Sequence, residues 1–458
     1  MQKTKYIPLL RAALINVLSF IGYISTAQIQ VNIPQPATLQ QVNMNHFSGS
    51  PQFQPNTIGT THYFNEQQQN SNNQLIREAN AAIKSKTMVG IERDLMQEDF
   101  YKSYMELSYK TKDYQIAFET LSRVNPDSFS LSKAVFTVEN AYYGNKFQYT
   151  DFERALKERA ELVKQILKRE NLNTKSNIAL NYGIMKLYQQ HNTYYNSKEK
   201  RSIDVKPIQY DFEDIRGEKD YTKMFVTKMW QTGKGQCHSM PLNYLIIAEQ
   251  LGAKAWLSLA PQHSFVQFMD ENNNLLNFET TNGNLVSANW MLQSGFINAN
   301  ALKSKTYLDT LSHRQLYAQC MADLLLGYIH KFGYDNYAEK IKKAIEQVNP
   351  NNITAAIVDA TVRTQIAAQQ IRAAGRPKEQ DLPHFPAAYE AYKNMVAAYN
   401  KVDAMGYQDM PKEAYQNWLK SFDKAKKQQE SKELQEKMKK EIERLKKLKI
   451  TVKQKPTN

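Results

Sequence analysis

Three residues in the middle of the chain have the types and the order needed for acyl transfer by a thiol: Cys237, then His263, then Glu279. In such chemistry a thiolate attacks a carbonyl carbon, an imidazole moves the proton, and a carboxylate orients the imidazole. Cys237 follows two glycines, Gly233 and Gly235, and a helical pattern begins directly after it. We therefore expect Cys237 at the amino end of a helix, where unpaired N–H groups and the helix dipole favour the thiolate.

The spacing of His263 and Glu279 predicts that these two residues meet across a hairpin. If the hairpin turns about Glu271, His263 lies directly opposite Glu279 on an antiparallel ladder. Side chains paired in this way share a face with their Cβ atoms about 5 Å apart, which is close enough for a carboxylate to hold an imidazole. Glu279 would then set the ring tautomer, while the other ring nitrogen faces Cys237.

The elements that must position these residues are one helix and a small antiparallel sheet. The helix pattern runs from Met240 to Leu251 and ends at Gly252, a residue suited to the left-handed C-cap position. Polar turns then separate three strand-like runs of apolar and β-branched residues. The predicted strands are Ala253 to Leu259, His263 to Met269 and Leu275 to Thr280.

The rest of the chain has mainly helical periodicity, so the predicted fold class is α+β with a majority of helices. Residues 73–204 are expected to form four or five packed helices, and residues 205–300 the thiol core. The pattern of residues 301–414 predicts tetratricopeptide-like helical hairpins, although the sequence has no clean repeat period. The predicted helices there are Gln315 to Phe332, Asn336 to Val348, Thr354 to Ala374 and Ala387 to Ala404.

The motifs around the three candidate residues resemble a known family. A Gly-x-Cys at the start of a helix, a strand beginning with His, and a strand ending in an acidic residue followed by Thr resemble the transglutaminase-like superfamily of papain-fold thiol proteins. The resemblance covers residues 205–300. It implies that Cys237 is the nucleophile, His263 the general base and acid, and Glu279 the orienting acid, with no cofactor and no metal. Glu279 stands where the family usually has Asp.

Other roles stay open for the two cysteines and the neighbouring histidine. Cys237 could be a buried apolar residue, or it could form a disulfide with Cys320, which would remove the nucleophile. His238 could pair with His263 at a metal, although a structural zinc site needs four ligands and no further Cys or His cluster is present. A second donor for the oxyanion has two candidates, Trp230 and Gln236.

The amino-terminal residues have the pattern of an export signal. Residues 1–27 combine a basic stretch, an apolar stretch from Ala12 to Ile24 and the small residues Ser25-Thr26-Ala27, which predicts a secretory signal peptide. The polar residues 28–72 predict a flexible leader. Because no later stretch is apolar enough to span a membrane, the mature protein is expected to be periplasmic or secreted, without a transmembrane segment.

The formal net charge of +14 is concentrated at the carboxyl end. From Lys424 onward the chain has 13 Lys and Arg against 5 Glu. Residues 415–458 are therefore expected to form a basic, solvated helix, and the alternative is a contact with an anionic surface such as lipid headgroups or acidic glycans. The basic residues form no groove-reading motif, so nucleic acid is not an expected partner.

Two functions from different classes fit these features. The first is an exported peptidase or amidase that acts on a peptide or protein substrate through Cys237, His263 and Glu279; a transglutaminase-type acyltransferase uses the same chemistry with an amine as acceptor. The second is a catalytically degenerate thiol core whose flanking helical hairpins bind a protein partner. The reactivity of Cys237 distinguishes the two hypotheses.

Overall fold

The computed structural model describes residues 110–407, 412–425 and 429–454. The signal peptide predicted at 1–27, the leader at 28–72 and any helix before residue 110 lie outside these residues. The described chain is mostly helical with small sheets, which confirms the α+β class. None of the helices in these three ranges combines the length and the apolarity needed to cross a membrane.

Four helices open the described chain, as the apolar periodicity predicted. Each buries one face, and serine side chains cap two of them: Ser130 Oγ accepts the N–H of Lys133, and Ser176 Oγ that of Ala179. The predicted breaks at 125–127 and 171–174 fall between helices. The four helices are α1 (Lys112–Ser122), α2 (Leu131–Tyr142), α3 (Tyr149–Arg169) and α4 (Asn177–Gln189).

Two short ladders connect these helices to the thiol core. Strands β1 (Asn192–Asn196) and β2 (Arg201–Val205) form an antiparallel hairpin. Strand β3 (Gln209–Tyr210) pairs in parallel with β4 (Lys234–Gly235), and helix α5 (Val226–Thr232) lies between these two strands in the chain. The β3–β4 ladder therefore holds the backbone that leads into the candidate cysteine.

The two glycines before the candidate cysteine have different structural roles. Gly233 ends α5 in the left-handed region, with φ of 71°. Gly235 is packed closely, because a Cβ at this position would lie 2.5 Å from Met229 Sδ and 2.7 Å from Met240 Cγ. A larger residue would force the side chains of Met229 and Met240 to shift, which agrees with the predicted close packing before Cys237.

One helix and a four-stranded sheet form the thiol core. Helix α6 (Ser239–Leu251) is mostly buried and ends at Gly252 with φ of 73°, as predicted. The strands that follow are antiparallel and pair in chain order, and the last of them was not predicted. They are β5 (Trp256–Ala260), β6 (His263–Met269), β7 (Leu275–Glu279) and β8 (Asn284–Val286). Helix α6 packs against β5 and β6.

Beyond the sheet the chain is helical again, and the four predicted helices are present with closely matching ends. Two short helices, α7 (Ala288–Ser294) and α8 (Ala299–Lys303), come first. Ser312 and Gln315 then form a capping box at the start of the next helix. The longer helices are α9 (His313–Phe332), α10 (Asn336–Val348), α11 (Ile353–Ala373) and α12 (Pro386–Ala404).

The basic tail forms two helices, α13 (Lys412–Ala425) and α14 (Gln429–Gln454), where one solvated helix was predicted. The prediction that this segment is helical is confirmed. The prediction that it is solvated is wrong for one face of each helix. Burial of the aromatic and aliphatic residues on those faces stabilises the packing of the two helices on the core. The buried residues are Tyr415, Trp418 and Leu419 on α13, and Met438 and Ile442 on α14.

Candidate functional site

Cys237 lies in the turn between β4 and α6, as predicted for the amino end of a helix. The N–H of Gln236 donates to Ser239 Oγ over 2.9 Å, and the N–H of Met240 donates to the carbonyl of Gln236 over 3.0 Å. Cys237 is only 7% exposed. Both Cys237 and Cys320 are free thiols, so the thiol of Cys237 is not consumed by a disulfide.

His263 and Glu279 form a buried ion pair next to this turn. His263 Nε2 lies 2.7 Å from Glu279 Oε2, and both side chains are 0% exposed. The second carboxylate oxygen, Oε1, accepts bonds from the backbone N–H and the hydroxyl of Thr281, over 2.9 and 2.8 Å. Glu279 is thus held on one side and orients the imidazole on the other, which is the relation predicted for an orienting acid.

The predicted hairpin register is wrong by two residues. The prediction placed Ser264 opposite Phe278, whereas Val266 pairs with Phe278 in the structure. A shift of two residues keeps every side chain on its original face, because side chains alternate with a period of two. In this register Glu279 lies diagonally from His263, a longer separation than between directly opposed residues. The longer side chain of Glu, compared with Asp, spans that diagonal.

The imidazole connects the carboxylate to the thiol. Cys237 and His263 form a side-chain hydrogen bond. Burial raises the pKa of the Cys237 thiol, but this hydrogen bond and the charge of His263 outweigh burial, so the pKa lies below its ordinary value. Burial lowers the pKa of His263, but the charge of Glu279 and the bond to Cys237 raise it to about 10. Both shifts favour the thiolate–imidazolium pair over the neutral thiol and imidazole.

Two aromatic residues of α13 cover this pair, and the sequence reasoning missed both. Tyr415 Oη donates to Cys237 Sγ over 3.1 Å and lies 3.4 Å from His263 Nδ1. The ring of Trp418 meets the His263 ring edge to face, with centroids 5.1 Å apart. Two aromatic residues three positions apart in a Lys-rich segment were the available signal, because a solvated helix does not need them. Tyr415 is in direct contact with the sulfur of Cys237.

The two predicted oxyanion donors are engaged elsewhere. Gln236 Nε2 donates to the carbonyls of Asp211 and Asp214 over 3.0 and 2.7 Å. Trp230 Nε1 donates to Asn243 Oδ1 over 2.8 Å. Neither group is available to a reacting carbonyl, because each already has a buried acceptor.

Tyr210 is a better-placed candidate for the second oxyanion donor. Its hydroxyl is buried close to Cys237 and to the hydroxyl of Tyr415. The charge of Cys237 contributes, after burial, to raising the pKa of Tyr210, so the two groups are close. No motif pointed to Tyr210, since it is distant from Cys237 in the chain and is brought towards it by the β3–β4 ladder.

The metal alternative for His238 has no support in the described ranges. His238 Nε2 pairs with Asp323 Oδ2 over 3.3 Å. Burial lowers the pKa of His238, but Asp323 outweighs burial and the pKa is raised. Among the described residues no group of three or more His, Cys, Asp or Glu side chains could hold a metal ion.

The Glu279→Gln variant is expected to slow alkylation of Cys237 by iodoacetamide about tenfold at neutral pH, which corresponds to one pKa unit. If the amide oxygen keeps the bonds to Thr281, the amide NH₂ faces His263 Nε2 and disfavours the imidazolium. The second-order rate constant, followed by mass spectrometry, measures the effect. Glu271→Gln, at the exposed turn, is the matched control. An unchanged rate in Glu279→Gln would show that the carboxylate does not hold the imidazolium.

Comparisons with known proteins identify no relative for this arrangement. No family model, no curated protein and no solved structure matches the chain.

Proposed function

We propose that the chain is an exported, transglutaminase-like cysteine acyl-transfer enzyme that hydrolyses peptide or amide bonds through Cys237, His263 and Glu279. The observation that carries this proposal is the continuous contact from Glu279 through His263 to Cys237 at the start of α6. The directions of the two pKa shifts agree with it, because a thiol that has lost its proton is the nucleophile. Perturbed, coupled groups of this kind concentrate at functional sites.

Each residue has one defined role in the reaction. The Cys237 thiolate attacks the carbonyl carbon, and the tetrahedral oxyanion collapses as the C–N bond breaks and the His263 imidazolium gives its proton to the leaving amine. The neutral imidazole then takes a proton from water, whose oxygen attacks the thioester. Cleavage of the C–S bond releases the acid and restores thiolate and imidazolium. An amine in place of water gives acyl transfer.

The order of elements supports the family part of the proposal. The cysteine precedes a buried helix, the histidine begins one strand, and the acid ends the next strand of an antiparallel sheet that packs on that helix. The transglutaminase-like, papain-related core has the same order of residues on the same kinds of element. Fold likeness alone does not define chemistry, so the activity rests on the contacts among the side chains.

A degenerate scaffold is the second candidate, and one observation favours it. The thiol is 7% exposed, and Tyr415 Oη occupies the space at its sulfur. In this alternative the closed core is structural, and the helical hairpins α9–α10 and α11–α12 bind a protein partner. A contact between the exposed lysines of α14 and an anionic surface stays a prediction. It is compatible with either function.

Reaction with an activated ester tests the proposal. We expect the full-length chain to release a burst of nitrophenol from p-nitrophenyl acetate and to retain an acetyl group on Cys237, located by peptide mapping. Cys237→Ala should lose the burst. Cys320→Ala should keep it, because burial raises the pKa of the Cys320 thiol well above its ordinary value and leaves it unreactive. The scaffold is supported instead if Cys237 reacts no faster than Cys320 and no acetyl group is found.

A further inference from the structure

A small cavity is lined in part by Cys237 and His263. Its volume is about 70 Å³. It lies where the sheet meets helices α9 and α11, so its walls come from distant parts of the chain. Aliphatic side chains make up much of the lining, among them Ile215, Leu257, Leu259, Ile353 and Ile357.

The polar groups nearest the thiol are engaged in contacts of their own. A guanidinium nitrogen of Arg216 donates to Gln262 Oε1 over 3.0 Å at one end of the cavity. Ser264 Oγ donates to the carbonyl of Cys237 over 2.6 Å. The lining also includes polar residues such as His238, Gln319 and Thr354. Its aliphatic part favours methylene and methyl groups.

The volume limits the size of the bound group. One water-sized group needs roughly 10–15 Å³ of such space, so a cavity of about 70 Å³ takes about five non-hydrogen atoms. That is the size of a short aliphatic chain, and a longer chain would have to extend out of the cavity. A pocket of this shape beside a nucleophile binds the part of the substrate attached to the reacting carbonyl.

We propose that this cavity is the acyl-group pocket, and that it selects substrates whose acyl part is a short aliphatic chain of about five non-hydrogen atoms beyond the carbonyl. The inference rests on the proposed function, because an acyl pocket has a meaning only if Cys237 is acylated. It goes further by naming the chemical class of the group transferred.

A series of p-nitrophenyl esters with acetyl, butyryl, hexanoyl and decanoyl groups tests the pocket. The rate constant for acylation of the full-length chain should rise about fourfold for each methylene that fits, as expected for burial of a CH₂ group. The rate should then fall between hexanoyl and decanoyl. All four esters have the same leaving group, so the ratios of their rate constants report the effect of the acyl chain.

Two variants should shift the preferred length in opposite directions. Leu259→Ala enlarges the cavity and should move the optimum to longer esters, while Ile215→Phe fills it and should favour acetate. The matched controls are Leu292→Ala and Ile208→Phe. Leu292 and Ile208 are also half-buried and pack on the main core, but they do not line the cavity. Neither control should change the order of the esters.

The outcomes separate this inference from the proposed function. If no ester acylates Cys237, the proposed function fails, and the pocket fails with it. If the esters acylate Cys237 in a His263-dependent way but show no optimum in length, only the pocket is wrong. The same holds if the two pocket variants and their controls give the same order. Alkylation by iodoacetamide, which carries no acyl chain, should be equal in the two control variants and the wild type.

Discussion

His263→Ala is expected to react with iodoacetamide at Cys237 about 30-fold more slowly than the wild-type chain at neutral pH. The hydrogen bond and charge of His263 hold the pKa of the thiol below its ordinary value against the effect of burial. Without the imidazole, the effect of burial, which raises the pKa of the thiol, is no longer offset. Even a thiol with an ordinary pKa of about 8.5 is only a few per cent ionised at neutral pH. Mass spectrometry of the Cys237 peptide gives the rate.

The pH dependence provides a second readout with a defined sign. The pKa of Cys237 is lowered in the folded wild type, so as the pH drops its labelling rate should fall at a lower pH than the rate of a thiol with an ordinary pKa. In His263→Ala the rate should rise only above about pH 8. His191→Ala, at an exposed histidine, is the control. Equal rates in His263→Ala and the wild type at neutral pH would rule out the thiolate–imidazolium pair.

Trp418→Ala is expected to speed the labelling of Cys237 by a bulky maleimide about 100-fold. Trp418 is 4% exposed, packs on the His263 ring and stacks on Trp290 with centroids 6.3 Å apart. Its Nε1 also donates to Ser294 Oγ over 3.0 Å. Removing a buried Trp side chain costs about 3–5 kcal/mol. We expect much of this cost to weaken the packing of α13 on the core. The population of molecules in which Tyr415 no longer contacts the thiol then increases.

An internal control separates opening of α13 from unfolding of the whole chain. Cys320 is 1% exposed in α9 and should stay unlabelled in Trp418→Ala if only α13 opens. Tyr399→Ala removes a partly buried aromatic ring on α12, outside the thiol site, and should leave the labelling of Cys237 unchanged. If Cys320 reacts as fast as Cys237 in Trp418→Ala, the variant has unfolded globally, and the cover over the site is not a separate unit.

The register of the hairpin shows where prediction from sequence stops. The alternation of apolar residues was enough to place His263 and Glu279 on one face, since side chains alternate with a period of two. It was not enough to choose between registers two residues apart, because both bury the same residues. The turn made that choice: Asp270 Oδ1 accepts the backbone N–H groups of Asn272 and Asn274, and the ladder then begins at the pair Met269–Leu275.

The tail shows a second limit of the same kind. Its charge and helical periodicity correctly predicted helices, but the few aromatic residues among many lysines gave no indication of what they would contact. Tyr415 is 178 positions along the chain from Cys237, the residue to which it donates. A local window therefore contains one partner and not the other, and the energy of the contact exists only once the core surface has formed.

Local sequence was sufficient for the helix after Cys237, its glycine end at Gly252, and the strands that carry His263 and Glu279. These features depend on backbone conformation and on periodicity over a few residues, so neighbouring residues determine them. The tertiary structure alone decided how closely the three side chains meet, which cavity lies beside them, and that α13 closes over the thiol. These features arise from burial of surfaces distant in sequence, and no local pattern records which surfaces will meet.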